Sequence, residues 1–307
     1  ELQMLPIAMG AGKDKLFPAR LVTVFLGALL LVSVYAVTRR YFGKGVALVA
    51  LFFLAFEPNF LAHSHYVTPD VGTALFFFFA YAAYLLFIEK ATRWRMVFFG
   101  ISLGLALASR VMVIGYIAVS AILLFFFNSP SRSQGSPGRW LKFLVVVVIA
   151  FFVVWATYFF RWDVVIAKGG SASRVSERLK SFAMSRNLTV LQSGLSFFGD
   201  RPLPLGNYLA TVKNSFLRSA QQAGKPAWYE LPVSVFLKTP IPLLLFVLLA
   251  LLRIKRGKKE TKQMFLFVAP VIGILVVAVF SGMEPRLRYV LPMYPFVAVL
   301  AATGIRE

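Results

Sequence analysis

Between Leu21 and Gly304 the sequence returns repeatedly to long apolar runs, among them Leu21–Thr38, Val71–Ile88 and Leu141–Phe160. Short stretches rich in Lys and Arg separate them. Each of these runs approaches the ~20 residues a helix needs to cross the hydrocarbon core of a bilayer. The 307-residue chain is 59% hydrophobic and 15% charged, too apolar for a soluble domain to cover its own surface. The runs are also too numerous to be a signal peptide. They predict an all-α polytopic membrane protein. Leu141–Phe160 is β-branched and aromatic, yet its length suits a membrane helix better than a strand.

The net charge of +21 raises the question of nucleic acid. The cations answer it, because most sit between apolar runs, as the positive-inside rule expects of cytoplasmic segments. The reading is therefore a lipid bilayer and no nucleic acid. The absence of Cys excludes disulfides and thiol catalysis.

Taken in order, Arg39-Arg40-Tyr41-Phe42-Gly43-Lys44 closes the first complete span on the inside. A second run from Val46 continues through Pro58 to an outside stretch, Ala62-His63-Ser64-His65-Tyr66-Val67-Thr68-Pro69-Asp70. Val71–Ile88 crosses back to the basic segment 89–95. Residues 96–127 fit one long helix or two short ones turning near Ser109-Arg110; the inside signature of 128–142 requires an even number of crossings and favours the pair. Residues 161–230 form a long outside loop with ten Lys/Arg against four Asp/Glu, with local helices around 171–184 and 207–222 and turns at Gly169-Gly170 and Pro202–Pro204. Leu231–Leu252 crosses inward, with prolines in its outer part that predict a kink. Phe265–Phe280 returns, Ser281–Arg288 turns outside, and Tyr289–Gly304 is the last span. The expected division is 1–160 membrane helices, 161–230 external loop and 231–307 membrane helices.

This orientation gathers the chemistry on one face: His63, His65, Asp70, Arg110, Lys238, Glu284, Arg286 and Arg288, with Trp162, Trp228 and Tyr229 in the loop. Ionisable groups at a membrane boundary mark handling of something polar. Cations beside a carboxylate suit an anionic head on a lipid tail, and Arg can hold a phosphate bidentately. Plainer readings stand beside these. His63 and His65 are two apart, so on a helix they diverge and make no metal pair. Asp70 suits a helix N-terminus as well as it suits catalysis, and Lys238 can simply snorkel outward. Asn187-Leu188-Thr189 fits a glycosylation sequon, a pattern short enough to arise by chance.

Four pieces together resemble the bacterial relatives of the dolichyl-phosphate-mannose protein mannosyltransferases, glycosyltransferase family 39 in the GT-C superfamily. Phe60 to Asp70 is similar to a family segment in which Arg is followed five residues on by an Asp that opens a membrane helix. Arg161 to Tyr229, with Leu203-Pro204-Leu205, resembles the large external loop. Trp228-Tyr229-Glu230 through Lys238-Thr239-Pro240 resembles the aromatic lead-in and K-T-P of bacterial members. Arg288-Tyr289-Val290-Leu291-Pro292-Met293-Tyr294-Pro295 resembles R-Y-x-L-P-x-Y-P.

The resemblance implies a GT-C-like helical bundle with one large external loop domain. Its implied activity is transfer of a sugar from a polyprenyl-phosphate donor to a protein, lipid or glycan acceptor outside the cytoplasm, by an inverting displacement. A carboxylate would take the acceptor's proton, and cations would stabilise the departing phosphate. Residue by residue, it implies Asp70 and His65 in catalysis and Lys238, Arg286, Arg288 and Tyr289 at the donor phosphate. His63, Arg110 and Glu284 are additional candidates, and a divalent cation is an open requirement. His65 stands where relatives usually carry Arg, so a fixed cation is replaced by a group that titrates near ~6.5. The family's principal acidic motif would precede Glu1, so the sequence reads as a fragment expected to lack it. A bacterial plasma membrane is the implied location. Two other classes remain: a lipid-linked-saccharide transporter, which would show paired breaks near mid-span, and a non-catalytic lipid-binding scaffold.

Overall fold

The computed structural model describes residues 13–127, 137–164, 202–222, 229–253, 259–280 and 287–305. Its first helix, α1 (Lys13–Phe42), buries Thr23, Gly27, Leu30, Val34 and Thr38 and leaves Leu21, Val22, Phe25 and Val32 exposed. That spacing of three and four is one stripe of a helix, with the opposite face left to lipid. After α2 (Lys44–Ala55) the chain bends by 61° into α3 (Pro58–His65). Three helices follow: α4 (Asp70–Glu89), α5 (Arg93–Ser109) and α6 (Met112–Phe127). Then come α7 (Pro137–Thr157), strand β1 (Trp162–Val164), strand β2 (Pro202–Pro204) and α8 (Gly206–Gln222). The helix α9 (Glu230–Lys238) turns by 109° into α10 (Ile241–Leu252). Last are α11 (Lys259–Phe280), two 3-10 turns (Leu287–Tyr289 and Leu291–Met293) and α12 (Tyr294–Thr303).

Among the described residues four helices are long and apolar enough to cross a membrane, and up to six spans result if each bent pair counts as one. Helices suit that environment because they satisfy every backbone polar group within the segment. The chain is an integral membrane protein.

The 96–127 region breaks at Arg110-Val111, as the charge pattern favoured. From Arg93, α5 returns antiparallel to α4, with Phe99 5.7 Å from Phe87, ring centre to ring centre. Packed along α11, α6 runs back from α5, and its Tyr116 stands edge-on to Phe77 of α4 at 6.0 Å. Between α4, α5 and α6 lies an apolar cavity of about 130 Å³ lined by Phe77, Tyr81, Phe99, Leu103, Ile117 and Leu124. On its other side α5 meets α7 at close range. A Cβ on Gly104 would stand 2.6 Å from Val153 Cβ, and one on Gly100 would stand 2.7 Å from Ile149 Cβ. The Gly100-x-x-x-Gly104 spacing is a small-residue seam of the kind that lets membrane helices approach.

The run Phe76–Phe79 is the hub of the core. Phe296 of α12 lies 5.8 Å from Phe77 and 5.2 Å from each of Phe78 and Tyr81. Aromatic pairs of this geometry each contribute about 0.5–1.5 kcal/mol beyond simple burial. Every residue of α12 is buried. The expected span Tyr289–Gly304 is therefore a pair of 3-10 turns leading into a ten-residue helix inside the bundle.

At the end away from Asp70, the basic segments meet. Arg40 bonds Glu89 at 2.5 Å, Tyr41 OH donates to Glu89 at 2.9 Å, and Arg95 donates to the Leu86 carbonyl at 2.7 Å. Arg253 caps the C-terminus of α12 through the Gly304 carbonyl at 2.9 Å.

The expected helix over 207–222 is α8. Its Tyr208 donates to the Leu107 carbonyl at 3.1 Å and packs with Val154 and Leu205, seating the helix over the ends of α5 and α7. Burial pushes the Tyr208 phenol up to about 12. Pro202–Pro204 was expected to turn and instead pairs, antiparallel, with Trp162–Val164. Proline's fixed φ is compatible with an extended edge, and the reversal falls one residue later at Leu205, φ 63°. The expected helix at 171–184, the turn at Gly169-Gly170 and the sequon at Asn187 lie outside the described residues.

Candidate functional site

Asp70 opens α4 and is 2% exposed. The helix N-terminus favours a carboxylate in its first turn. Capping is not what the side chain does, however: Pro69 holds the N-cap position, and the carboxylate turns sideways to a guanidinium and an imidazole. Arg110, in the break between α5 and α6, donates to Oδ1. His63, on α3, places Nδ1 3.2 Å from Oδ2. Arg110 and His63 are 19% and 22% exposed, so both reach from the buried carboxylate toward the mouth of the bundle.

The 3-10 turns bring the next layer. Arg110 lies 5.3 Å from the centre of the Tyr289 ring, and Arg288 lies 5.2 Å from it. Arg288 also donates to Tyr289 OH at 3.3 Å. The backbone here is fixed from below, since Tyr116 OH donates to the Tyr289 carbonyl at 2.8 Å. Two guanidiniums, a phenol and an imidazole thus converge around one carboxylate. Such a cluster can hold an anion, because guanidinium groups pair with phosphate oxygens through fixed donors.

A second polar knot fixes the surrounding elements. Glu57, 1% exposed, caps α3 by accepting the Phe60 amide, with Pro58 in the first turn. Its other oxygen accepts from Asn59 at 2.7 Å. The same Asn59 amide nitrogen lies 3.0 Å from the Lys238 carbonyl and 3.3 Å from Tyr294 OH. Tyr294 OH in turn stands 3.2 Å from Thr239 Oγ1. Both helix breaks and the start of α12 are tied at this point.

Of the residues singled out from sequence, the structure brings together Asp70, His63, Arg110, Arg288 and Tyr289. It puts His63, not His65, on Asp70; His65 is exposed at the end of α3. Lys238 is exposed at the mouth, its backbone held by Asn59 while its side chain extends from α9. Arg286 and Glu284 lie outside the described residues. Among the described residues no three His, Asp or Glu stand close enough to hold a metal ion. Sequence reasoning passed over Glu57 and Asn59, though Glu-Pro between two apolar runs was a helix-start signal.

The described helices, with two buried polar clusters among them, define an integral membrane protein. Residues 5–156 match the family model described as dolichyl-phosphate-mannose-protein mannosyltransferase. No curated protein sequence matches the chain. Among solved structures it is similar to ArnT from Cupriavidus metallidurans bound to undecaprenyl phosphate, with a TM-score of 0.60 at 16% identity over 93% of this chain and 45% of that one. It is also similar to the archaeal oligosaccharyltransferase AglB from Archaeoglobus fulgidus, in complex with an inhibitory peptide and a dolichol-phosphate. There the TM-score is 0.55 at 18% identity over 98% of this chain and 40% of that one. The chain spans less than half the length of the solved proteins it resembles.

Proposed function

We propose that the full-length protein is a glycosyltransferase of the bacterial plasma membrane. It takes a sugar, a hexose such as mannose, from a polyprenyl-phosphate donor. It passes the sugar to a protein, lipid or glycan acceptor on the non-cytoplasmic face, with inversion at the anomeric carbon. The single observation that carries this reading is the buried Asp70 paired with Arg110, with His63, Arg288 and Tyr289 gathered beside the pair. Asp70 is the carboxylate of the site. Arg110, Arg288 and Tyr289 form the donor-phosphate seat, with Lys238 at its rim and Arg286 a further candidate for the phosphate. Lipid phosphates are what the ArnT and AglB structures contain, and the same head group suits the cations of this mouth.

The polar groups lie at the ends of spans rather than at paired mid-span breaks, which favours a transferase over a transporter. In the proposed division, 1–160 and 231–307 form the membrane body and 161–230 the external loop that meets the acceptor. Asp70→Asn in the full-length protein is expected to abolish transfer from a polyprenyl-phosphate sugar while the protein still inserts in membranes. Full activity in that variant would sink the site assignment.

A further inference from the structure

We propose that the apolar cavity between α4, α5 and α6 binds one acyl chain of an anionic glycerophospholipid, whose phosphate lies between Arg93 and Lys142. The lipid belongs to the leaflet at the basic end of the bundle. The site is separate from the cluster at Asp70 and does not depend on what that cluster does.

The cavity sets the first condition. Phe77, Tyr81, Phe99 and Leu124 are buried on its inner side, while Ala121 of α6 and Phe143 of α7 line it and are exposed. It is a slot that opens sideways, between α6 and α7, toward the bilayer. Its walls are apolar: the Tyr81 hydroxyl is donated to the Leu266 carbonyl, and Ser120 Oγ turns to Gly273 of α11, where a Cβ would meet it at 2.5 Å. Apolar cavities near this size, about 130 Å³, stay dry and accept apolar guests. The sequence joining α6 to α7, Asn128 to Ser136, has no large apolar side chain to put there. In a bilayer the apolar guest at hand is a lipid chain.

The packing of α5 on α7 sets the second condition. The two helices run in the same direction, since Gly100 meets Ile149 and, one turn on, Gly104 meets Val153. Two turns before Gly100 and Ile149, on the same helix faces, stand Arg93 and Lys142. Two cations are thus brought to one level on either side of the seam. Both are exposed, and among the described residues neither has a carboxylate within ion-pair distance. Glu89, four residues before Arg93, is already held by Arg40, Tyr41 and Arg95.

The two conditions meet in one ligand. Phe143 follows Lys142 directly and Phe99 lies within two turns of Arg93, so the cations stand just below the open side of the slot. Trp94 follows Arg93 and Trp140 precedes Lys142 by two residues, both exposed. Tryptophan at a helix end marks the level of the lipid headgroups. A phosphate diester at that level, with its chain running into the slot, satisfies the cations and the cavity together. Basic pockets between membrane helices hold anionic headgroups in this way. A free phosphate would leave the slot empty, and a neutral lipid would leave the cations without an anion. The donor's polyprenyl chain is the wrong guest, because the cations proposed for its phosphate lie at the opposite end of α4.

The test uses the full-length protein in detergent, delipidated and titrated with dioleoyl phosphatidylglycerol or with phosphatidylcholine of the same chains. Bound lipid is counted by native mass spectrometry. Wild type should retain phosphatidylglycerol with at least about tenfold higher affinity than phosphatidylcholine. Arg93→Gln with Lys142→Gln should weaken phosphatidylglycerol binding by about 10- to 30-fold, each cation near a membrane surface contributing about fivefold, and leave phosphatidylcholine unchanged. Ala121→Trp fills the slot from its exposed side and should expel both lipids while the protein stays monodisperse. Should that variant fold poorly, the double variant, changed only at exposed positions, decides alone. Equal affinity for the two lipids in wild type overturns the proposal, as does undiminished phosphatidylglycerol binding in either variant. Displacement of phosphatidylglycerol by equimolar polyprenyl phosphate also overturns it, since the slot would then seat the donor's tail.

Discussion

Asp70 has almost no solvent, and the Arg110 guanidinium paired with it balances its charge. Removing one member of a buried ion pair leaves an uncompensated charge and costs about 3–5 kcal/mol, whereas removing both can be close to neutral. Arg110→Ala should therefore destabilise the detergent-solubilised protein clearly, seen as loss of monodisperse protein at a lower temperature. Asp70→Asn combined with Arg110→Ala should recover most of that loss. A single Arg110→Ala variant as heat-stable as wild type would show that the pair does not hold this corner together. The residue scale is also where sequence and structure part most visibly. The spacing of His63 and His65 said that they would diverge and make no metal pair, since two residues on a helix are about 200° apart, and only His63 faces Asp70. Which one turned away depends on the phase of α3, and that phase is set by the Glu57 cap and Pro58.

At the scale of elements, two helix breaks that look unrelated in sequence are fastened by one side chain. Asn59 joins the Glu57 cap to the Lys238 carbonyl and to Tyr294. Asn59→Ala leaves buried acceptors without their donor, at about 1–3 kcal/mol for a buried unsatisfied group. It should also loosen α9 against α3, detected as faster proteolysis near Lys238 with the α1–α5 region still protected. Unchanged cleavage near Lys238 would separate the two breaks. The α5–α7 seam makes an independent case: Gly104→Val drives a side chain into Val153 and the Ala150 carbonyl. The expected result is a loss of at least about 1–3 kcal/mol from overpacking, read as lower yield of folded protein, while Gly115→Ala elsewhere on α6 serves as a milder comparison. The spans themselves were legible because hydropathy and the alternation of basic segments are local signals. The break at Arg110 was legible for the same reason, through the count of crossings. The knot was not, because its members at 57–59, 238–239 and 294 are each ordinary in sequence and become a site only when three irregular segments meet.

For the whole molecule, the vertical arrangement of charge is the quantity that function depends on. The cluster at Asp70 and the latch at Glu89 occupy opposite ends of one twenty-residue helix, a length of about 30 Å at 1.5 Å per residue, matching the hydrocarbon core. If Asp70 faces the non-cytoplasmic side, the segment around Trp94 must face the cytoplasm, because α4 is a single crossing between them. Tyr66 and Trp94 are 61% and 84% exposed and sit at these two ends. The chain contains no cysteine, so a single thiol placed at either position would be read against an empty background. In intact cells, Tyr66→Cys should react with a membrane-impermeant maleimide, and Trp94→Cys should react only after permeabilisation. The reverse pattern would invert the orientation and put the site in the cytoplasm, where a polyprenyl-phosphate sugar would have to be met on its side of synthesis. Labelling of both from one face would remove α4 as a span and separate the Asp70 cluster from any membrane boundary.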